Sequence, residues 1–224
     1  NKESNIPVPW KAYSTVRIRL FFQFSHFLGI IAMPNWCMNE LIITGDQASL
    51  DNLATFVKGE HDEQNLDFDK VIPYPENYKQ MDAEMPAWND PDKEAKMLAY
   101  KEKWGSDKAG YNSGGYEWCC GNWGTKWNAC SIYVGPGEGT LFYSFDTAWS
   151  PAFPIVQKLS ELFPTLDFEY KYEETGCFFA GDVAYEAGKE LYHNTYDPIL
   201  CYDEEEDEDA EPCEDFEAYR QFHA

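Results

Sequence analysis

Two short stretches carry the residues best suited to touching another molecule. One is Asn122, Trp123, Gly124, Thr125, Lys126, Trp127, and the other is Asp146, Thr147, Ala148, Trp149, Ser150. Each sets indole rings beside isolated polar groups. Rings give rigid apolar contact, while a single Lys, Asp or Asn fixes orientation, which suits recognition better than bond making. The candidate binding residues are therefore Asn122, Trp123, Lys126, Trp127, Asp146 and Trp149. The competing reading is structural: the rings pack, and Lys126 and Asp146 form a salt bridge that positions strand ends. No histidine falls in either stretch, since His26, His61, His193 and His223 are scattered, and no catalytic residue is assigned.

Other chemistry has weaker support. Cys37 and Cys130 are conceivable nucleophiles, but each lies within an expected strand with no base adjacent in sequence, and buried thiols are the commoner case. The seven cysteines form no Cys-x-x-Cys pair, which reads as free thiols in a reducing cytoplasm rather than a zinc site. Asp67, Asp69 and Glu76 could hold a divalent cation with water, but such groupings arise by chance in so acidic a chain. Residues 135–139 (GPGEG) lack the lysine and the strand-to-helix setting of a phosphate loop and serve as a turn. The expectation is a protein with no metal and no cofactor.

The elements that must position these residues follow from periodicity. Trp36 to Thr44 reads as a strand ending at Gly45, with Asp46 as the cap of a helix whose apolar positions are Leu50, Leu53, Ala54 and Val57. Residues 66–75 (LDFDKVIPYP) fit a short edge strand or a turn because of their prolines. Residues 76–121 read as an insertion with one helix, Pro91 to Trp104. Residues 125–134 and 140–149 form two strands about a glycine-rich hairpin turn. Ser150 and Pro151 then open a helix with Val156, Leu159, Leu162 and Phe163 inward. Leu166, Phe168, Tyr170 and Tyr172 alternate with charged residues as a half-buried strand, and Cys177 to Tyr185 supplies another.

This order predicts an α+β fold: a ferredoxin-like sandwich with one antiparallel sheet of four to five strands, two helices on one face and a helical insertion. The hairpin brings the two tryptophan-bearing stretches to one rim of the sheet. On this reading Gly45 approaches the same rim and Trp36 lies at the opposite end.

Charge separates the ends from the middle. The 224 residues contain 17 Lys+Arg and 40 Asp+Glu, a net charge of −23. Residues 1–32 carry +3, 203–224 carry −10, and the remainder −16. The domain is placed at 33–192, with an acidic tail at 193–224 in which residues 203–209 (DEEEDED) have nothing apolar to bury. Residues 16–33 (VRIRLFFQFSHFLGIIAM) resemble the basic and apolar regions of a secretory signal but are too short and interrupted to span a bilayer. A reading-frame extension upstream of Met33 is favoured over a signal or anchor and over a packed segment. No membrane association is expected, and a cytoplasmic location in a bacterial host follows.

The segments MPNWCMNELIITG, FDKVIPYPE, NWGTKWNA and FDTAWSPAFPIVQKLSELFPTLDFEYKYEETGCFFAG, between Met33 and Gly181, resemble the YubB ferredoxin-like family of plasmid- and phage-borne bacterial proteins, an Api92-like group of unknown function. The resemblance implies the fold and a setting in mobile elements, and no reaction. It lends no support to any role for the N-terminal extension or the acidic tail.

Three functions remain. The first is a non-enzymatic interaction module that binds a host or phage protein, one with a basic groove, through an acidic, aromatic surface, in its specific form as a nucleic-acid mimic. Opposite-sign fields steer such association. The second is a small enzyme or ligand-binding domain using the tryptophan rim. The third is RNA recognition on the open sheet, which has the right topology but the wrong charge. Direct nucleic-acid binding is therefore disfavoured.

Overall fold

The computed structural model describes residues 35–61 and 63–196. Six strands form one antiparallel sheet in the order β2-β3-β1-β4-β5-β6: β1 (Trp36–Thr44), β2 (Cys130–Gly137), β3 (Thr140–Ala148), β4 (Asp167–Glu174), β5 (Phe179–Glu186) and β6 (Lys189–Tyr196). Helices α1 (Gln47–Phe56) and α6 (Phe153–Leu162) complete the β1-α1-β2-β3-α6-β4 order of a ferredoxin-like domain, and β5 and β6 extend the sheet beyond β4. The strand count is six rather than four to five. β6 (KELYHNTY) escapes a periodicity search because it is exposed along nearly its whole length, as an edge strand can be, and it runs past the point where the sequence reading begins the acidic tail.

Strict alternation builds the core. In β1, Cys37, Asn39, Leu41 and Ile43 are buried, while Trp36, Met38, Glu40, Ile42 and Thr44 point to the other face and are half-buried. Residues paired across antiparallel strands share a face. The β1 register therefore sets Leu41 beside Tyr143 and Tyr170, and Ile43 beside Leu141 and Phe168, all on the inner side. Leu50, Leu53 and Val57, with Ile155, Val156 and Leu159 of α6, belong to the same core. Asp46 caps α1 by accepting from the Ser49 N–H at 3.0 Å. Ser150 does not cap α6, whose first residue is Phe153 with Ala152 in the cap position. The Ser150 hydroxyl donates instead to the Gly124 carbonyl at 2.6 Å, and the Ala152 N–H donates to Tyr170 Oη at 2.9 Å.

The stretch between α1 and β2 contains more helix than the sequence predicts. Phe68–Val71 is a helical turn, α2, rather than a strand, because Asp67 caps it by accepting from the Asp69 N–H. Beyond it lie α3 (Glu76–Glu84), α4 (Lys93–Trp104), a 3-10 turn (Tyr111–Ser113) and α5 (Gly115–Asn122). Glycines that suggest a loop are here required by close approach. A Cβ on Gly115 would stand 1.9 Å from Tyr74 Oη, and one on Gly110 would stand 2.2 Å from the Tyr78 carbonyl oxygen.

Candidate functional site

The rim formed by the segments after α5 and after β3 is knitted from both sides. Thr125 Oγ1 donates to the Ala148 carbonyl at 3.0 Å, Thr147 Oγ1 donates to the Ser150 carbonyl at 2.7 Å, and Ser150 holds Gly124 as described. Gly124 has φ of 81°, and a Cβ there would lie 2.9 Å from the Pro151 carbonyl oxygen. Only glycine fits so near the opposing loop. The segment before β1 joins in: the Trp149 N–H donates to the Asn35 carbonyl at 2.9 Å.

Trp149 itself has φ of 74°. For a bulky residue this left-handed backbone conformation costs of order 1–3 kcal/mol and persists only where surrounding bonds over-determine it. The residue is 45% exposed, as Trp127 is at 38%. The Lys126 ammonium lies 4.1 Å from the Trp127 ring centroid and 5.5 Å from that of Trp149. Trp36 backs Trp127, with centroids 6.1 Å apart.

Two sequence expectations about this rim change. The first strand runs antiparallel to β3, so its start lies beside the end of β3: Trp36 faces Ala148, while the Gly45 N–H meets the Gly139 carbonyl at the hairpin turn. Trp36 therefore belongs to the rim and Gly45 lies at the far end. The periodicity that revealed both strands carries no information on their relative direction.

The six candidate residues divide. Lys126, Trp127 and Trp149 come together at the surface. Trp123 is 6% exposed, donates its indole N–H to the Ile72 carbonyl at 2.8 Å and packs on Phe68 and Trp118, so it belongs to the core. Asn122 ends α5 and donates to the Trp118 carbonyl one turn back. Asp146 is nearly buried on the sheet face away from the helices, in register with Met38 and Cys130. The Lys126 ammonium contacts indoles, and no salt bridge joins it to Asp146.

That outer sheet face is rich in carboxylates. Register sets Asp167, Glu169 and Glu173 of β4 beside Glu186, Ala184 and Ala180 of β5 and beside Thr44, Ile42 and Met38 of β1, with Glu40, Asp146 and Asp182 on the same face and Lys171 among them. The charge total in the sequence gives no hint of this gathering, which depends on strand pairing.

The inner face holds a buried polar network. Asn39 Nδ2 donates to the Cys37 and Phe145 carbonyls and to Thr147 Oγ1, and its Oδ1 accepts from Tyr170 Oη at 2.6 Å. Burial pushes the Cys37 thiol far above its ordinary range and raises Cys130 as well, so neither sulfur offers a ready thiolate. Asp67 accepts from Asn128 at 2.7 Å and Asp69 pairs with Lys79. These carboxylates thus work as caps and tethers.

Comparison with known proteins gives a family likeness without an activity. Residues 122–222 match the family model described as the ferredoxin-like domain in Api92-like protein. The match covers β2 to β6 and continues through the acidic tail, which the resemblance drawn from sequence left aside; it does not reach β1. The chain is also similar to the crystal structure of a protein api92 from Yersinia pseudotuberculosis, at 12% identity and a TM-score of 0.47, covering 73% of this chain and 98% of that one. No curated protein matches. Among the described residues, no helix is long and apolar enough to cross a membrane.

Proposed function

We propose that this chain is a non-enzymatic interaction module of a mobile element, acting in the bacterial cytoplasm on a basic protein of the host or phage. The observation that carries the reading is Trp149. A large ring is held half-exposed in a strained backbone conformation by bonds from two other segments, at Asn35 and at Gly124–Thr125, beside a second half-exposed indole. Strain of this kind, in a residue whose ring contributes little to the core, fits a surface prepared for contact. Half-exposed tryptophans commonly supply the energetic anchors of protein interfaces.

Charge supports the choice of partner. Asp167, Glu169 and Glu186 are exposed on the outer sheet face, and the whole chain carries −23. Such a surface attracts a basic groove and repels a phosphate backbone, which favours the nucleic-acid mimic over RNA recognition on the same sheet.

The test is co-purification from bacterial lysate at low and moderate salt, with wild type beside Trp149→Ala. The expected result is recovery of basic, nucleic-acid-handling proteins that weakens with salt and with the substitution. Recovery of none by the wild type would remove this reading.

A further inference from the structure

We propose that Trp127 and Trp149 form a clamp for a guanidinium group, which Lys126 fills in the unbound chain and an arginine of the partner fills by displacing it. This rests on the interaction reading above and names the chemical group that the rim receives.

The geometry has three parts. The Lys126 ammonium lies over one indole at 4.1 Å and near a second at 5.5 Å, within the range of about 6 Å at which a ring face attracts a cation. No carboxylate among the described residues pairs with Lys126. In a chain with 40 acids and 17 bases, a lysine that lies on aromatic rings instead marks those rings as a place where a cation is stable.

Second, the walls are fixed while the occupant is not. Tyr111 Oη donates to the Lys126 carbonyl at 3.2 Å, which pins its backbone. Ser150, Thr125 and Asn35 pin the two loops that carry the rings. The flexible four-carbon stem of Lys126 can swing away without disturbing either. A site whose walls are set beforehand loses little freedom on binding.

Third, arginine is the better occupant. Its guanidinium is planar, stacks on an indole face and is more weakly hydrated than an ammonium. A partner arginine therefore gains more from the rings than Lys126 loses, and the chain's net charge of −23 attracts the segment that carries it.

Nona-arginine, titrated calorimetrically into the full chain at low salt, is the probe. Lys126→Ala and Lys158→Ala each remove one positive charge, but Lys158 stands on α6, paired with Glu161, as the charge control. Lys126→Ala is expected to bind roughly two- to fivefold more tightly than Lys158→Ala, from vacating the rings. Adding Trp149→Ala should erase that gain, and nona-lysine should show a smaller one. In the wild type, nona-arginine should shift the indole N–H resonances of Trp127 and Trp149, a readout independent of how any variant folds. Equal affinities for the two lysine variants, or unmoved indole resonances, would overturn the clamp while leaving a salt-sensitive interaction standing. Absence of any salt-sensitive binding by the wild type would overturn the interaction reading itself.

Discussion

Beneath the sheet, Phe68, Phe145, Tyr143 and Tyr170 are each at most 1% exposed, and Phe145 stacks on Tyr170 while meeting Phe68 edge-on. Helices α3 and α4 are held differently. In α4 only Tyr100 is buried, and its hydroxyl reaches the Met81 and Lys108 carbonyls. Around it, Lys103 and the Trp104 indole share Glu84, Lys96 pairs with Asp90, and Lys101 with Asp107. One region is held by apolar area removed from water; the other depends on polar ties at the surface, which salt and pH reach. The contrast teaches that the rim rests on the first region, since its strands belong to that core and Tyr111, which holds the Lys126 carbonyl, packs against it.

The largest blow to this contrast should come from Phe145→Ala. Removing a ring from the shared core is expected to cost about 3–5 kcal/mol, lowering the denaturant midpoint for the whole domain at once. If only the helical stretch unfolded, the core would not be shared as described.

Gly115→Ala should act locally. Its methyl would press on Tyr74 Oη, and overpacking of this kind costs about 1–3 kcal/mol. Amide exchange should speed up in α3 and α5 while β1 and β3 keep their protection; loss of protection in the sheet first would contradict the division.

Acid should separate the two regions without any substitution. Bonds from Lys103 and Trp104 lower the Glu84 carboxyl below its ordinary value, and Lys96 and Lys101 do the same for Asp90 and Asp107. A lowered carboxyl contributes stability that is present above its unfolded value and is lost as pH falls through the folded one. The α3–α4 region should therefore loosen below the ordinary carboxylate range before the sheet does, as exchange or limited proteolysis at acid pH would reveal. Simultaneous loss of both would refute the ordering.

The smallest effect is expected at the rim. Trp149→Gly exchanges a strained backbone for a permitted one, against the greater freedom of glycine in the unfolded chain and lost ring contact. Stability should stay within about 1 kcal/mol of wild type by those magnitudes, and a fall beyond about 2 kcal/mol would mean that the ring is structural, not poised for a partner.

Legibility followed the same division. In β1, β3 and β4 the inner positions repeat every second residue, and in α6 Val156 and Leu159 repeat at helical spacing, so these elements could be read directly. Leu162, expected inward, is exposed at the end of the helix. Residues 115–122 (GYEWCCGN) could not, because glycine weakens a helix and only the Tyr74 ring explains why it stands there. Residues 189–196 were equally opaque, since an exposed edge strand leaves no hydrophobic period.

The candidate site was legible as two stretches but not as a surface. Lys126, Trp127 and Trp149 were named from composition and do meet, while Trp123, with the same chemistry and one motif in common, turned inward to the Ile72 carbonyl. Sequence alone determined the ferredoxin-like order of elements and the acidic character of the chain, because periodicity and charge are local properties. Tertiary structure alone decided that Trp36 joins the rim, that the carboxylates gather on one sheet face, and that Lys126 lies on indoles rather than against Asp146. Those outcomes depend on strand direction and register, which join residues far apart in the chain.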